Sequence, residues 1–253
     1  MMENCLLNGL ITESQRERWG AAVSLRRSVR SFSAAPDVAQ NSALNYLLGR
    51  ISLPGARAEL INADPETLCM KLPGVERVNG TDRFAVLLTD ADTPHAAEHA
   101  GILGEALVLE AVSLGLGACW LGSFKRNGLP VTPQEGEKAV AVIALGVPPE
   151  SKPPVRKRKT LQKLCGGADP SGWPLWAYNA VECVRNAPSA MNFQPWRFAF
   201  AGRTLLLRKT WYATGLDMGI ALLHMTLGAG NKPHVLRWGA GRETASLVAE
   251  DRL

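Results

Sequence analysis

The apolar positions of this chain change period several times, and each change marks an element. Across residues 37–50 they recur with helical spacing behind Asp37, whose carboxylate can accept from the first free amides, and Leu53-Pro54-Gly55 ends the pattern. A continuous apolar run at residues 83–89 predicts a buried strand. From residue 95 to 116 small and apolar residues surround most of a helical cylinder, which predicts a helix buried on nearly every side. Residues 138–146, rich in valine and alanine, form the next buried strand and stop at Gly146-Val147-Pro148.

Residues 151–172 combine Pro153, Pro154, a basic run and Gly166, Gly167 and Gly172, so they are expected to form an extended crossover with little core. This segment separates two expected domains, 20–165 and 173–253. Beyond it the order starts again, with a helix at 175–185, a loop carrying Ala187-Pro188-Ser189-Ala190 and strands at 197–200 and 204–208. A helix at 217–227, with Asp217 as its N-cap, and a final strand at 235–238 complete the series. The restart is a faint internal repeat, in which Leu53-Pro54-Gly55-Ala56 takes the place that Ala187-Pro188-Ser189-Ala190 holds later.

With 253 residues, 46% of them hydrophobic, the chain can bury one large core or two small ones. Glu105 and Glu110 interrupt the longest apolar stretch, residues 102–122, which argues against a membrane span. Residues 1–18 lack the apolar core of a signal peptide, so a soluble cytoplasmic protein is expected. The five cysteines are odd in number and show no Cys-x-x-Cys spacing, which fits neither a disulfide framework nor a zinc ribbon. The net charge of +5 is dispersed apart from Arg156 to Lys159 and lacks interleaved aromatics, so it points to an anionic small molecule and not to nucleic acid.

Five segments carry candidate chemistry. Arg26, Ser28 and Arg30 alternate along one short segment, so guanidinium and hydroxyl donors can point the same way toward an anion, although a solvated cationic helix start has the same pattern. Pro188-Ser189 makes a turn that exposes polar groups, and Asn192 can both donate and accept. Gly115, Gly117 and Gly122 let backbone approach a ligand closely, but their spacing is wrong for a dinucleotide-binding turn. Arg156 and Arg158 alternate and can face one phosphate. His95-Ala96-Ala97-Glu98-His99 matches a zinc-peptidase pattern, yet Pro94 places His95 at a helix start and no third ligand is identifiable; no metal is expected. Cys119 has no histidine partner nearby in sequence and reads as a small buried residue.

Taken in order, these segments resemble the nitroreductase family of FMN-dependent oxidoreductases, over about residues 25–239. The resemblance is carried by Arg26-Arg27-Ser28-Val29-Arg30, by Gly115-Leu116-Gly117-Ala118-Cys119-Trp120-Leu121-Gly122-Ser123, by Ala144 to Pro148 with Arg156 to Leu161, and by Pro188-Ser189-Ala190-Met191-Asn192. In that family the Arg-x-Ser-x-Arg and Pro-Ser-x-x-Asn motifs lie close together and meet the flavin from two subunits, whereas here each occurs once, at opposite ends of the chain. The resemblance therefore implies an α+β nitroreductase-like fold in which two related halves form a pseudo-dimer within one chain. FMN would be held by Arg26, Arg27, Ser28, Arg30, Leu121, Gly122, Ser123, Arg156, Arg158, Pro188, Ser189, Ala190 and Asn192. It also implies a two-step reaction, from NAD(P)H to the flavin and then to a nitroaromatic, quinone or similar acceptor, and it names no catalytic protein acid or base. A fused chain would be free to work as a monomer. A flavin-binding sensor without turnover, and a flavin-cleaving or dehalogenating relative, stay open at this point.

Overall fold

The computed structural model describes residues 11–70, 77–127, 129–150, 157–231, 234–241 and 243–249. The chain divides into a middle unit, Ser24–Val155, and a terminal unit made of Met1–Val23 and Arg156–Leu253. Among the described residues no helix is long and apolar enough to cross a membrane.

Helix α1 (Glu13–Leu25) has no counterpart in the elements predicted above, because its apolar positions do not gather on one stripe. It is nonetheless anchored within the terminal unit. Trp19 is fully buried, and Arg16 donates to the Thr226 carbonyl at 2.9 Å.

In the middle unit, α2 (Val38–Arg50) starts at Asp37 as expected, in a reciprocal box with Gln40 that satisfies two terminal groups. Strand β1 (Ala56–Asn62), the short helix α3 (Pro65–Leu68), β2 (Arg83–Asp90), α4 (Ala96–Ser113), β3 (Gly117–Leu121) and β4 (Glu137–Gly146) follow. The strands form an antiparallel sheet in the order β1-β2-β4-β3. Period-two alternation sorts β2 into two faces: Phe84, Val86 and Leu88 join Phe32, Phe124 and Val142 in one cluster. Leu87 faces α4 on the other side, where Gly104 admits it together with Trp120, since a β-carbon there would come within 2.7 Å of Leu87 and 2.3 Å of Trp120. Two strands here escaped the sequence reading. β1 is a half-exposed edge strand held by Arg57 paired with Glu59 and Glu137, and charged alternation of that kind resembles surface. β3 lies inside the glycine-rich segment that was read only as ligand-binding backbone.

The terminal unit contains α5 (Leu161–Leu164), α6 (Leu175–Arg185), β5 (Trp196–Ala201), β6 (Thr204–Lys209), α7 (Gly215–Ala229), β7 (His234–Trp238) and β8 (Glu243–Ala249). Three expectations are corrected. The crossover at 151–172 is not extended throughout, because α5 is capped by Thr160 and buries Leu164 completely; residues 151–156 lie outside the described residues. The N-cap of α7 is Thr214, and Asp217 is the third helical residue, returning a bond to Thr214 in a capping box. The strand at 234–238 is not the last, since β8 pairs with both β6 and β7. Its short alternation, Glu243-Thr244-Ala245-Ser246-Leu247, has too little apolar weight to stand out.

The second sheet has the order β5-β6-β8-β7, antiparallel throughout, which matches the first strand for strand. Each has its longest helix between its second and third strands, and each has one register shift, after Leu87 in β2 and after Leu207 in β6. These marks fix a correspondence. Ala58 pairs with Leu87 and Phe198 with Leu207, so Ala58 corresponds to Phe198. Counting back, Leu53-Pro54-Gly55-Ala56 corresponds to Phe193-Gln194-Pro195-Trp196, which corrects its expected match to Ala187-Pro188-Ser189-Ala190.

Candidate functional site

In the middle unit the Arg26–Arg30 segment runs beside β3. Ser28 bridges Ala118 in parallel, and the Val29 amide donates to the Ala118 carbonyl at 3.0 Å. Gly117 makes this approach possible, because a β-carbon there would sit 2.7 Å from the Val29 side chain. The segment does not present its cations alike. Arg26 is only 3% exposed, and its Nε lies 4.0 Å from Oε1 of Glu105, a fully buried acid on α4 that also accepts from Trp120 Nε1 at 2.9 Å. Burial pushes the Arg26 guanidinium below its ordinary pKa, and the Glu105 charge opposes that loss. Arg27 and Arg30 are half-buried, and Ser28 is exposed. At the end of β3, Leu121 is half-buried, while Gly122 and Ser123 are exposed with open space where a Gly122 β-carbon would stand.

In the terminal unit the segment from Pro188 to Gln194 folds into a tight knuckle. Met191, Asn192 and Gln194 have φ of 48°, 55° and 48°, a left-handed region that costs a non-glycine residue about 1–3 kcal/mol. Several side chains hold it there. Arg158 donates to Asn192 Oδ1 at 2.7 Å, to the Ala187 carbonyl at 3.1 Å and to the Asn186 carbonyl at 3.0 Å. Asn192 Nδ2 donates back to the Lys157 carbonyl at 3.0 Å, so its amide orientation is set at both ends. Ser189 Oγ accepts from the Gln194 amide at 2.8 Å, and Gln194 Oε1 accepts from the Lys159 amide at 2.8 Å. Asp217 Oδ1 accepts from the Ala190 amide at 2.9 Å, while its other oxygen accepts from Thr214. Pro188 is buried, whereas Ala190 and Asn192 face solvent.

Arg158 therefore meets the Asn192 loop directly, a contact that the reading of it as a phosphate ligand did not foresee. Arg156 lies outside the described residues. Asp217 and Glu105 were missed as organisers. The Thr214-x-x-Asp217 spacing of a capping box was available in the sequence, but nothing local marks the bond from Asp217 to Ala190, 27 residues away. Of the decoy pair, His95 caps α4 in a left-handed conformation, and His99 is buried with Nδ1 2.8 Å from the Pro54 carbonyl. Among the described residues no three His, Cys, Asp or Glu side chains converge as a metal site. Cys119 is buried in the middle-unit core.

A family model described as "Putative TM nitroreductase" matches residues 20–229, most of the chain. A crystal structure of a putative nitroreductase from Thermotoga maritima is similar with a TM-score of 0.67 and 22% identity, covering 91% of this chain and 93% of that one. An FMN-dependent nitroreductase from Clostridium difficile (19% identity, TM-score 0.41) covers 53% of this chain and 90% of its own. A putative NADH dehydrogenase/NAD(P)H nitroreductase from Parabacteroides distasonis (18% identity, TM-score 0.44) covers 61% and 98%. No curated protein sequence matches the chain.

Proposed function

Because this chain belongs to the nitroreductase family, we propose that it is an FMN-dependent NAD(P)H oxidoreductase, a fused pseudo-dimer that reduces nitroaromatic, quinone or similar acceptors in two steps. One observation carries the reading. The two sheets repeat one strand order, and the Arg-x-Ser-x-Arg motif occurs only in the middle unit while the Pro-Ser-x-x-Asn motif occurs only in the terminal one. The donor chemistry fits FMN: Arg27, Ser28 and Arg30 offer cations and a hydroxyl for a phosphate and ribityl hydroxyls, Gly122 and Ser123 offer exposed backbone, and Asn192 offers a fixed carboxamide. When bound, FMN accepts two electrons from a reduced nicotinamide and passes them on.

The chain's own work is to bind and orient. In this reading Arg26, turned to Glu105, braces its segment, and Arg158 braces the Asn192 loop by the bonds already described. Flavin binding tests it. A chain with both motifs should bind FMN as a verified monomer; Ser28→Glu, which loses a hydroxyl and adds a carboxylate that repels phosphate, should weaken that binding by at least roughly 1.5–3 kcal/mol, and Asn192→Ala by about 0.5–1.5 kcal/mol, as for a neutral hydrogen bond. Mixing the two variants should restore nothing. Recovery on mixing would mean that the site is completed by a second copy of the chain, and absence of FMN binding by the parent protein would end the flavoenzyme reading.

A further inference from the structure

The terminal unit leaves an unusual group of large apolar side chains in water. Met191 is 74% exposed, Phe193 55% and Trp211 92%. Tyr212 joins the two aromatic ones into a ladder. Its ring meets Phe193 edge-to-face at 5.7 Å and Trp211 edge-to-face at 5.3 Å. Trp211 thus touches the ladder while nearly all of its surface stays open. The position is not a loose tip, because the Thr210 amide and hydroxyl both donate to the Pro195 carbonyl, at 3.0 and 3.1 Å, and Thr214 opens α7.

A cation belongs to the same place. Lys159 Nζ donates to the Phe193 carbonyl at 2.6 Å and the Gln194 carbonyl at 3.0 Å, which puts an ammonium at the foot of the ladder. Partial burial pushes the Tyr212 phenol up, but hydrogen bonding with Thr210 and Lys159 and the charges of Lys159 and Arg197 outweigh it, leaving it below its ordinary value. An open indole stacked edge-on to Tyr212, with the Lys159 ammonium at the foot of the same ladder, suits a flat ring that carries phosphate. An apolar protein partner would bury an ammonium that only two backbone carbonyls answer. A neutral quinone or nitroaromatic would use the rings and leave the charge unanswered.

We propose that Trp211, Tyr212 and Phe193, with Lys159, form the docking site for the adenine nucleotide half of the reduced dinucleotide, base on Trp211 and phosphates toward the Lys159 ammonium. This rests on the reading of the chain as an NAD(P)H-using flavoenzyme and adds the place where the donor is gripped. The site lies wholly within the terminal unit. The test uses ADP as the probe, titrated calorimetrically into the full chain with and without saturating FMN. ADP should bind, Trp211→Ala should weaken it roughly five- to thirty-fold, as for losing a stacked base, and Trp211→Phe should keep most of the affinity. Lys159→Met should flatten the salt dependence of ADP binding. Trp211 is so exposed that its replacement should leave the far-ultraviolet circular dichroism unchanged. Absence of ADP binding, equal binding by Trp211→Ala, or a self-association that Trp211→Ala dissolves without affecting ADP, would each overturn the proposal. Parallel FMN titration separates the two readings: normal flavin binding without ADP binding sinks only this one.

Discussion

Five residues, 51–55, join α2 to β1 in the middle unit, whereas ten, 186–195, join α6 to β5 in the terminal one. Around the two connectors the strand order, the register shift in the second strand, and a long buried helix that begins shortly after it are matched. Counting from the register correspondence, the extra residues of the longer connector include Pro188, Ser189 and Ala190, and Asn192 answers to Ser52. The repeated strand order thus accommodates a longer connector, as loops do, and the extra residues bring Pro188, Ser189 and Ala190 of the candidate site. The reverse holds at the third strand. Leu121 answers to Arg237, so exposed Gly122 and Ser123 answer to Trp238 and Gly239, and the middle unit's open backbone is replaced by an indole.

The central helices sharpen the contrast. Ten residues beyond the N-cap, α4 carries Glu105 and α7 carries His224, both fully buried. Glu105 faces the buried Arg26 guanidinium, whereas His224 Nδ1 lies 3.2 Å from the Cys183 carbonyl on α6. Removing one member of a buried ion pair strands the other, so Glu105→Ala should cost about 3–5 kcal/mol of stability in urea denaturation. His224→Ala should cost less, about 1–3 kcal/mol, as for removing one partner of a buried hydrogen bond. Adding Arg26→Met to Glu105→Leu should recover much of the loss. Equal costs at the two positions, or no recovery, would mean that the Arg26–Glu105 pair does not distinguish the units.

A smaller effect concerns the loop itself. Asp217 sits three residues beyond the α7 N-cap, and the matching residue of α4 is Glu98, which is half-exposed. Asp217→Ala removes the acceptor for the Ala190 amide and the half of the capping box in which its carboxylate accepts from Thr214, and should lower thermal stability by the equivalent of about 1–2 kcal/mol while weakening FMN. Glu98→Ala should stay within about 0.5 kcal/mol and leave FMN binding alone. If the two variants behave alike in a flavin titration, the loop does not depend on its tie to α7.

Elements with strong periodicity were legible in the chain: α2, β2, α4, β4, α6, β5, β6 and α7 fall within a few residues of expectation. α1, β1, β3 and β8 were not, because an edge strand such as β1, with Arg57 and Glu59 half-exposed, and a helix held by single anchors such as Trp19 carry no apolar stripe. The motif residues were found by resemblance, but their partners were not. A bond between Arg158 and Asn192, or between Asp217 and Ala190, spans 34 or 27 residues and exists only once the chain is folded. Nor does the alternation of Arg26 and Ser28 reveal which turns inward, since that depends on Glu105, far along the chain.

The weakest expected effect tests how each central helix holds the connector before it. In the terminal unit the hold is Asp217 on the Ala190 amide; in the middle unit it is His99 on the Pro54 carbonyl, four residues beyond a cap that makes no side-chain bond. Burial lowers the His99 pKa, the Pro54 carbonyl pulls it up in part, and the His95 charge lowers it further. A folded pKa below the unfolded value of about 6.5 means that the unfolded chain binds more protons in between. The stability that neutral His99 contributes is therefore complete above pH of about 6.5 and is lost as the pH falls toward the folded value. Melting temperature should drop modestly between pH 7 and 5.5, and hydrogen exchange at β1 and the start of α4 should quicken over the same interval. His99→Gln, whose amide can still donate to Pro54 but does not titrate, should flatten both responses. If the knuckle around Ala190 and Asn192 loosens over the same interval as β1, and does so equally in His99→Gln, the acid response does not originate at His99, and the two connectors do not differ in the way their anchors imply.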